Sequence, residues 1–433
     1  MQLQIQKIVY GGNGLAYSAE GKTVFVPFTL PGEVIEASLN TIKDGFAEAT
    51  LEAVQEPSAD RIVPKCTHFG ACGGCQYQHA KYSAQLEIKR GILKETLERA
   101  GLTSLPHVQL LASEPWEYRN RIRLQISKVE GKLRLGYLRR ASSEFLPIDM
   151  CPIASPILWR AAETILSLKD NASQWLQSAD EMELFTDRDQ SKVQLTLFVR
   201  REPIADFARF CEAMHAVLPE LTGAGVVLIE SNGRSRKTQR IRPRAHWGSD
   251  GLNYPVGEMN YWVTRGGFFQ VNRTILEPFV ALITANRKGK LAWDLYAGVG
   301  LFSQRLAKSF AEVVAVEAAA ADLIRSFRGL GRRAVEATTI DFLRQAVLER
   351  DRPELVVVDP PRAGIGQKVC DLLMRVKPYE IVYVSCDPAT LGRDLKQMVD
   401  SGYKLHELHM VDMFPQTFHQ ETVAVLRHEK LVG

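Results

Sequence analysis

The 433-residue sequence predicts an α/β protein, in which a doubly wound parallel sheet follows a small β-barrel and a mixed α+β segment. Three observations support this prediction. From residue 261 onward, short apolar runs alternate with segments of helix length, which is typical of buried parallel strands. A glycine-rich turn directly follows the first of these runs. The first 58 residues carry short alternating strands instead. The predicted domains are residues 1–58, 59–260 and 261–433.

The N-terminal segment alternates apolar and polar side chains in short runs that are separated by turns containing glycine or proline. These runs are Gln4–Val9, Thr23–Val26, Glu33–Leu39 and Phe46–Val54. About four or five short strands in this length predict an OB-like barrel, an architecture that commonly binds oligonucleotides. A β-domain with a purely structural role would show the same pattern, because fold alone does not define function.

The composition is that of a globular protein with a mild positive charge. The hydrophobic fraction is 45%, the charged fraction is 24% and the formal net charge is +4. No apolar run reaches the roughly 18 residues that a membrane-spanning helix needs. The first residues lack the basic and apolar regions of a secretory signal. We therefore expect a cytoplasmic protein without a membrane partner, and a monomer by default.

Basic side chains concentrate in two stretches. Either stretch alone is typical of a solvated surface, but two of them favour contacts with the phosphates of a nucleic acid. The first stretch also contains Trp116 and Tyr118, which suit either stacking against RNA bases or packing of a strand. The first stretch comprises Arg119, Arg121, Arg123, Arg134, Arg139 and Arg140, and the second comprises Arg234, Arg236, Lys237, Arg240, Arg242 and Arg244.

The chain contains seven cysteines, and disulfides are not expected in a chain without an export signal. Some of the cysteines lie close together in sequence, and cysteines in this arrangement either bind a metal or remain inert thiols. The spacing favours an iron–sulfur cluster, but His68 and His79 leave zinc with mixed ligands as an alternative. Cys211 and Cys370 are predicted to lie in the core. The candidate ligands are Cys66, Cys72, Cys75 and Cys151.

Beyond the barrel, local patterns predict one long helix and four buried parallel strands. The helix covers Lys81–Ala100, where apolar residues recur with helical spacing. The strands are Leu291–Leu295, Val313–Val316, Leu355–Val358 and Ile381–Val384.

The glycine-rich turn at residues 294–301 reads DLYAGVGL and predicts a nucleotide-type ligand, because glycine lets the backbone approach a ligand closely. It lacks the third glycine of the dinucleotide fingerprint and is nearer to an S-adenosylmethionine loop. The next strand ends in Glu317, which suits ribose hydroxyls; a solvated strand end is the alternative. Asp341 suits either the adenine amino group or a helix N-cap.

Three further candidates lie at strand ends, where open α/β sheets bind their ligands. Asp359 begins the sequence DPPRAG, whose prolines restrict the loop. Cys386 in the sequence SCDP is a candidate nucleophile, with a buried structural cysteine as the alternative. Glu421 precedes the strand Thr422–Leu426 and suits a general base, or else is a surface acid before an edge strand.

Taken together, five motifs between residues 268 and 421 resemble the uracil-5 RNA methyltransferase family. The N-terminal segment resembles the TRAM domain, an RNA-binding barrel, and the four candidate metal ligands resemble the [4Fe–4S] site of the branch that modifies 23S ribosomal RNA. The resemblance covers nearly the whole chain and is weakest between residues 155 and 260. The motifs are FFQVN (268–272), DLYAGVG (294–300), DPPRAG (359–364), SCDP (385–388) and the FPxTxHxE stretch that ends at Glu421.

The resemblance implies a Rossmann-like class I methyltransferase domain and methylation of carbon 5 of a uridine in RNA. It implies that the Cys386 thiolate adds to carbon 6 and that Glu421 removes the carbon 5 proton, after the base has been flipped out of its stack. It also implies a [4Fe–4S] cluster on the four cysteines. S-adenosylmethionine would be bound by Gln270, Tyr296, Gly298, Gly300, Glu317, Asp341 and Asp359.

Two positions depart from the family pattern. Leu301 stands where many members carry a polar residue such as Asn, and Asp387 stands where Asn is frequent. Other functions remain open: methylation of a tRNA uridine, or RNA binding by an inactive iron–sulfur protein. Methylation of an amino group or of cytosine carbon 5 is disfavoured by the SCDP sequence and by Arg362, which follows the two prolines.

Overall fold

The computed structural model describes residues 1–168, 172–203, 206–230 and 240–428. The first 56 residues form a six-stranded sheet in the order β1-β5-β6-β4-β3-β2. Alternate side chains of its strands point inward and form a small apolar core around Ile5, Val24 and Ile35. The strands are β1 (Gln2–Gln4), β2 (Lys7–Ile8), β3 (Asn13–Tyr17), β4 (Thr23–Pro27), β5 (Val34–Lys43) and β6 (Phe46–Glu56).

A seven-stranded sheet in the order β10-β9-β8-β11-β12-β13-β14 forms the middle of the chain. Helices α2 and α4 bury Leu158 and Phe210 in the core of this sheet. The elements in this part of the chain are α1 (Tyr82–Arg99), β7 (Val108–Leu111), β8 (Arg121–Val129), β9 (Lys132–Leu138), β10 (Phe145–Pro147), α2 (Pro156–Ser167), α3 (Ala172–Ser178), β11 (Ala179–Thr186), β12 (Val193–Val199), α4 (Phe207–Val217), β13 (Leu221–Glu230) and β14 (Arg240–Gly248).

The C-terminal part contains a two-stranded hairpin, β15-β16, and an eight-stranded sheet in the order β19-β18-β17-β20-β21-β23-β22-β7. The elements are β15 (Gly251–Val256), β16 (Met259–Thr264), α5 (Leu276–Thr284), β17 (Gly289–Leu295), α6 (Ser303–Leu306), β18 (Phe310–Glu317), α7 (Ala321–Ser326), β19 (Arg332–Glu336), α8 (Thr339–Glu349), β20 (Leu355–Val358), α9 (Gly366–Val376), β21 (Glu380–Ser385), α10 (Pro388–Asp400), β22 (Tyr403–Val411) and β23 (Glu421–His428).

The direction of the strands in this sheet determines where the candidate residues meet. Strands β17 to β21 are mutually parallel, so their carboxyl ends lie along one edge. Strand β23 is antiparallel to β21 and pairs Thr422 with Ser385. Its amino end therefore lies at the same edge, which places Glu421 opposite Cys386. The strand order reverses between β17 and β20. Open α/β sheets bind their ligands in the crevice that forms at such a reversal.

The predicted α/β class and its main elements are confirmed. Helix α1 differs from the predicted helix by one residue at each end, and the four predicted parallel strands are β17, β18, β20 and β21. Strand β3 is absent from the predicted runs, because it begins at Asn13, in the turn between the first two of them.

The predicted domain boundaries stay a prediction, and two elements bear on them. Strand β7 pairs in parallel with β22 and so belongs to the C-terminal sheet, although it lies within residues 59–260. The hairpin β15-β16 spans residue 260. Within the described ranges, no helix is long and apolar enough to cross a membrane.

A buried ion pair joins α1 to the loop that precedes β23. The Lys89 ammonium lies 2.6 Å from a carboxylate oxygen of Asp412, and both side chains are fully buried. Lys89 also donates to the carbonyl of Phe414 at 3.0 Å. Removal of one partner of such a pair leaves a charge without compensation inside the protein, which is far more costly than loss of an exposed pair.

We therefore expect Lys89→Met to lower the free energy of unfolding by about 3–5 kcal/mol, because Asp412 would be left buried and unpaired. Urea denaturation followed by circular dichroism measures this change. The matched control is Lys94→Met on the same helix, whose ion pair with Glu98 is exposed and contributes only about 0.3–0.5 kcal/mol. Equal losses in the two variants would contradict the prediction.

Candidate active site

The turn after β17 has the backbone conformation of a ligand-binding loop. Tyr296 adopts a left-handed φ of 64°, and Gly298 and Gly300 have φ of 56° and 84°. A left-handed tyrosine is strained, and such strain clusters at functional sites. A Cβ atom at Gly298 would meet no atom within 4 Å. The loop therefore leaves open space directly above the end of the strand.

Glu317 is joined to this loop rather than solvated at the end of its strand. One carboxylate oxygen accepts a hydrogen bond from the backbone N–H of Gly298 at 2.9 Å, and the other accepts from the N–H of Ala318 at 2.8 Å. The carboxylate thus sits beside the open space above Gly298. This is the position in which an acid can reach the hydroxyls of a bound ribose.

Two acids lie close together beneath the loop. Asp294 is fully buried and accepts hydrogen bonds from the backbone N–H and the hydroxyl of Ser303. Burial raises the pKa of Asp294 to about 7. Burial, together with the charge of Asp294, also raises the pKa of Asp359 to about 7. A cationic group placed between the loop and Asp359 would therefore be stabilised, because it would offset the repulsion between these two carboxylates.

Asp341 lies at the same edge but has local partners. It accepts from the hydroxyl of Thr338 at 2.6 Å and from Arg344 at 3.1 Å. The N-cap of α8 is Thr338, whose side chain accepts from the Asp341 N–H. A cavity of about 530 Å³ opens beside these residues, and its lining comprises Tyr296, residues 338–340 and residues 365–369.

Two further positions that bear on the resemblance are buried: Gln270, which the resemblance assigns to the cofactor, and Leu301, which departs from the family pattern. Gln270 is buried, and its carbonyl accepts from the Asn120 side chain at 2.9 Å. Leu301 packs in the apolar core of the sheet, and its carbonyl accepts from the hydroxyl of Tyr261 at 2.9 Å. An apolar residue at position 301 thus contributes to packing beneath the loop.

Cys386 lies half-buried directly after β21. Burial and the neighbouring charges of Glu421 and Asp359 raise the pKa of its thiol to about 11, whereas Arg362 acts in the opposite direction. The next residue, Asp387, caps α10 by accepting from the backbone N–H groups of Ala389 and Thr390. The thiol is therefore protonated at neutral pH in the free protein and needs a change in its surroundings to react as a thiolate.

Glu421 is buried at 3% exposure, and one of its carboxylate oxygens has no hydrogen-bond partner. Burial and the charge of Asp359 raise its pKa well above the ordinary value, and Arg362 lowers it. A carboxylate with a raised pKa and an unoccupied oxygen is a suitable proton acceptor. The structure thus brings Cys386, Glu421 and Asp359 into one electrostatic cluster.

Three residues at this cluster had no predicted role in the site, namely Arg362, His419 and Tyr10. The guanidinium of Arg362 lies 3.1 Å from Nδ1 of His419, and the hydroxyl of Tyr10 lies 3.5 Å from a carboxylate oxygen of Asp387. Burial and the charge of Arg362 lower the pKa of His419 to about 4, so its ring is neutral. The DPPR motif was the available signal for Arg362, but no local pattern links Tyr10 in the barrel to this site.

The four candidate metal ligands are free, half-buried thiols. Burial raises the pKa of Cys66, Cys72 and Cys75, and the charge of Cys151 acts on each in the same direction. Cys151 therefore lies close enough to act electrostatically on each of the other three thiols. Across the described ranges, no group of three or more His, Cys, Asp or Glu side chains is arranged to hold a metal ion.

Both nearby histidines have other partners. His68 lies 2.6 Å from Asp149, and His79 lies 3.3 Å from the carbonyl of Thr29. Neither ring contact involves a cysteine. Cys211 and Cys370 are fully buried in the apolar cores, which confirms their predicted position.

The basic stretches are largely engaged in internal contacts. Tyr118 is fully buried and donates to the carbonyl of Pro415 at 2.9 Å, and Arg121 lies 4.3 Å from the ring centre of Phe185. These contacts favour strand packing for this stretch. In the second stretch, Arg244 pairs with Glu202 at 3.1 Å, whereas Arg234, Arg236 and Lys237 lie outside the described residues.

Comparison with known proteins identifies relatives along the entire chain. The family model described as tRNA (uracil-5-)-methyltransferase matches residues 81–340 and 333–429. The chain is 32% identical to the 23S rRNA (uracil(1939)-C(5))-methyltransferase of Halomonas elongata, over 99% of this chain and 89% of that protein. It is also 32% identical to an uncharacterized RNA methyltransferase of Aquifex aeolicus, over 98% of each.

One solved structure has the same fold throughout. It is the tRNA (uracil-54, C5)-methyltransferase of Pyrococcus abyssi in complex with S-adenosyl-L-homocysteine. The TM-score is 0.75 at 22% identity, and the match covers 98% of this chain and 100% of that one. The arrangement of domains is therefore shared, although the sequences have diverged widely.

The charges around Cys386 generate a prediction about its thiol. We expect Arg362→Gln to raise the pKa of Cys386, and Glu421→Gln to lower it, because the first removes a stabilising cation and the second a repelling anion. Each unit of change alters the thiolate fraction at neutral pH roughly tenfold. The rate of iodoacetamide alkylation against pH, followed by mass spectrometry of the Cys386 peptide, measures the shift.

The control is Arg375→Gln, an exposed charge on α9 away from the cluster. It should leave the pH profile of Cys386 unchanged. Shifts of the same sign in the Arg362 and Glu421 variants would overturn the electrostatic account.

Proposed function

The chain belongs to the tRNA (uracil-5-)-methyltransferase family and is an RNA uracil-5 methyltransferase, and from this premise we propose that it methylates one uridine of 23S ribosomal RNA. The alignment with the Halomonas elongata enzyme, which acts on 23S rRNA, supports this substrate because it extends through the barrel and the cysteine segment. A tRNA uridine is the second candidate, since the solved relative with the same fold acts on tRNA.

S-adenosylmethionine supplies the methyl group, and the crevice at the end of β17 is the proposed site for it. Glu317 would hold the ribose and Gln270, Tyr296 and Asp341 would line the remainder. The two acids with raised pKa, Asp294 and Asp359, lie where a sulfonium cation would relieve their repulsion. This electrostatic match between an anionic pocket and a cationic donor supports the assignment.

We propose that Cys386 is the nucleophile. Its thiolate forms a bond to carbon 6 of the flipped uracil, and the electrons of the carbon 5–carbon 6 double bond move onto carbon 5 and the adjacent carbonyl. Carbon 5 then bonds to the methyl carbon of S-adenosylmethionine, the bond from that carbon to sulfur breaks, and S-adenosylhomocysteine leaves. Arg362 lies where it stabilises the thiolate, because it lowers the pKa of Cys386. Such activation is needed, since burial alone would keep the thiol protonated.

Glu421 completes the reaction as the proposed general base. It accepts the proton from carbon 5, the electrons of that bond restore the double bond, and the thiolate of Cys386 leaves carbon 6. The observation that carries the proposal is the position of Glu421 opposite Cys386 in the register of β21 and β23, with one carboxylate oxygen unpaired. An inactive RNA-binding protein would not need this arrangement.

We also propose that Cys66, Cys72, Cys75 and Cys151 hold a [4Fe–4S] cluster. The electrostatic effect of Cys151 on the other three thiols suits a shared soft metal centre, and the other partners of His68 and His79 favour an all-cysteine set. Because Cys151 follows β10 whereas the other three precede α1, such a cluster would cross-link two distant segments. Zinc is the alternative occupant.

We expect purified enzyme with S-adenosylmethionine to form 5-methyluridine in 23S ribosomal RNA and none in tRNA. Mass spectrometry of nucleosides from each RNA measures this. RNA that contains 5-fluorouridine at the target should trap a covalent adduct, because no proton can leave carbon 5. 5-Methyluridine in tRNA alone would overturn the proposed substrate but keep the chemistry.

Variants of Cys386 and Glu421 distinguish the proposed roles of these two residues. Cys386→Ala should abolish both methylation and the adduct, whereas Glu421→Gln should allow the adduct to accumulate on ordinary RNA. Cys370→Ala, a buried cysteine outside the site, is the control and should retain adduct formation. Methylation by Cys386→Ala at the wild-type rate would remove it as the nucleophile.

We expect anaerobically purified protein to contain iron and acid-labile sulfide, with broad visible absorbance. Cys75→Ala should lose both, whereas Cys211→Ala should retain them, because Cys211 lies in the core of the central sheet. Metal analysis by mass spectrometry provides the measurement. Stoichiometric zinc without sulfide would show that the four cysteines bind zinc and not an iron–sulfur cluster.

A further inference from the structure

The segment that leads to Glu421 leaves two aromatic side chains partly exposed. All residues from Pro415 to Glu421 are buried except Phe418 and His419, which are half-buried. Gln416 holds this segment in place: it adopts a left-handed φ of 68°, and its carbonyl accepts from two N–H groups of the cysteine segment, at residues 76 and 77. The exposure of the two rings is thus imposed by a well-anchored backbone.

A third ring completes the group. The centres of Phe418 and His419 lie 4.0 Å apart, and Tyr10 meets Phe418 edge-on at 5.4 Å and 90°. Tyr10 is itself half-buried and comes from the barrel, at the turn between β2 and β3. The barrel and the C-terminal sheet therefore build one partly exposed surface, which we call the aromatic corner (Tyr10, Phe418 and His419).

The aromatic corner lies at the nucleophile. The hydroxyl of Tyr10 is 3.5 Å from Asp387, the residue after Cys386, and the ring of His419 contacts the exposed guanidinium of Arg362. The pKa of His419 is lowered to about 4. The ring is therefore uncharged beside the arginine. An RNA strand that delivers a base to Cys386 would therefore come close to these side chains.

The chemistry of this surface is that of a base-stacking site. Proteins bind unpaired RNA bases by stacking them on aromatic rings and on guanidinium planes, and the Tyr hydroxyl can donate to a base edge. Phe418 also packs against the cluster of Ile8, Tyr77 and Ile92, so packing alone is the competing role. Packing alone does not account for the partial exposure of two adjacent rings beside an exposed arginine.

We propose that the aromatic corner is a binding subsite for an unpaired base adjacent to the target uridine. The inference rests on the proposed function, in that the uridine itself occupies the pocket at Cys386. Stacking of the neighbouring base would hold the strand in the extended form that base flipping requires. The barrel would then take a direct part in substrate positioning through Tyr10.

The test compares Phe418→Leu, which keeps an apolar side chain but removes the aromatic face, with Phe418→Tyr, which keeps the ring. The probe is a short RNA with the sequence around the methylated uridine and 2-aminopurine on its 5′ or 3′ side. We expect quenching of one of the two probes by wild type and Phe418→Tyr but not by Phe418→Leu. The KM for RNA should rise roughly 5- to 150-fold in Phe418→Leu, with a smaller change in kcat.

Unchanged affinity for S-adenosylmethionine and an unchanged unfolding midpoint would show that Phe418→Leu keeps the fold. Quenching and KM equal to wild type in that variant would overturn the subsite and leave the methyltransferase intact. Conversely, if the wild-type protein quenches the probe through Phe418 but transfers no methyl group, the subsite is retained and the proposed reaction is rejected. A lower unfolding midpoint with quenching preserved would assign the ring to packing.

Discussion

The ammonium of Lys89 and the carboxylate of Asp412 face each other in the interior, and neither is reached by solvent. This pair, with the bonds that surround it, connects the helix after the cysteine segment to the loop before the last strand. Gln85 reinforces the connection: its side chain accepts from the backbone of Gln416 and donates to the side chain of the same residue at 3.0 Å. A buried ion pair contributes little net stability but makes alternative arrangements costly. The loop that presents Glu421 is therefore held in one conformation.

This anchoring gives the cysteine segment a mechanical role that does not require electron transfer. The N–H groups of residues 76 and 77, just after Cys75, both donate to the carbonyl of Gln416. A metal centre on the cysteines would stiffen this segment and, through it, the backbone that leads to Glu421. Methyl transfer itself needs no electrons, so a structural role for the proposed cluster is consistent with the reaction.

The candidate active site concentrates carboxylates where the proposed mechanism requires both a cationic donor and a thiolate. Asp294, Asp359 and Glu421 all have raised pKa values for the same reason, namely burial with like charges nearby. Such a site is poorly suited to an ionised cysteine when empty, since these charges also raise the pKa of Cys386. Binding of a sulfonium and of RNA would change this balance. In the free protein, the thiol of Cys386 is therefore protonated at neutral pH.

Local sequence signals were sufficient for the α/β class, the glycine-rich turn and the acids at strand ends, because periodicity and turn residues act over a few positions. Glu317 and Asp359 could be located in this way. The tertiary structure decided the rest. Glu421 reaches Cys386 only because β23 runs antiparallel to β21 in one particular register, and Tyr10 reaches Asp387 across 377 positions of the chain. Contacts of this kind depend on how whole elements dock, and no local pattern in the sequence carries that information.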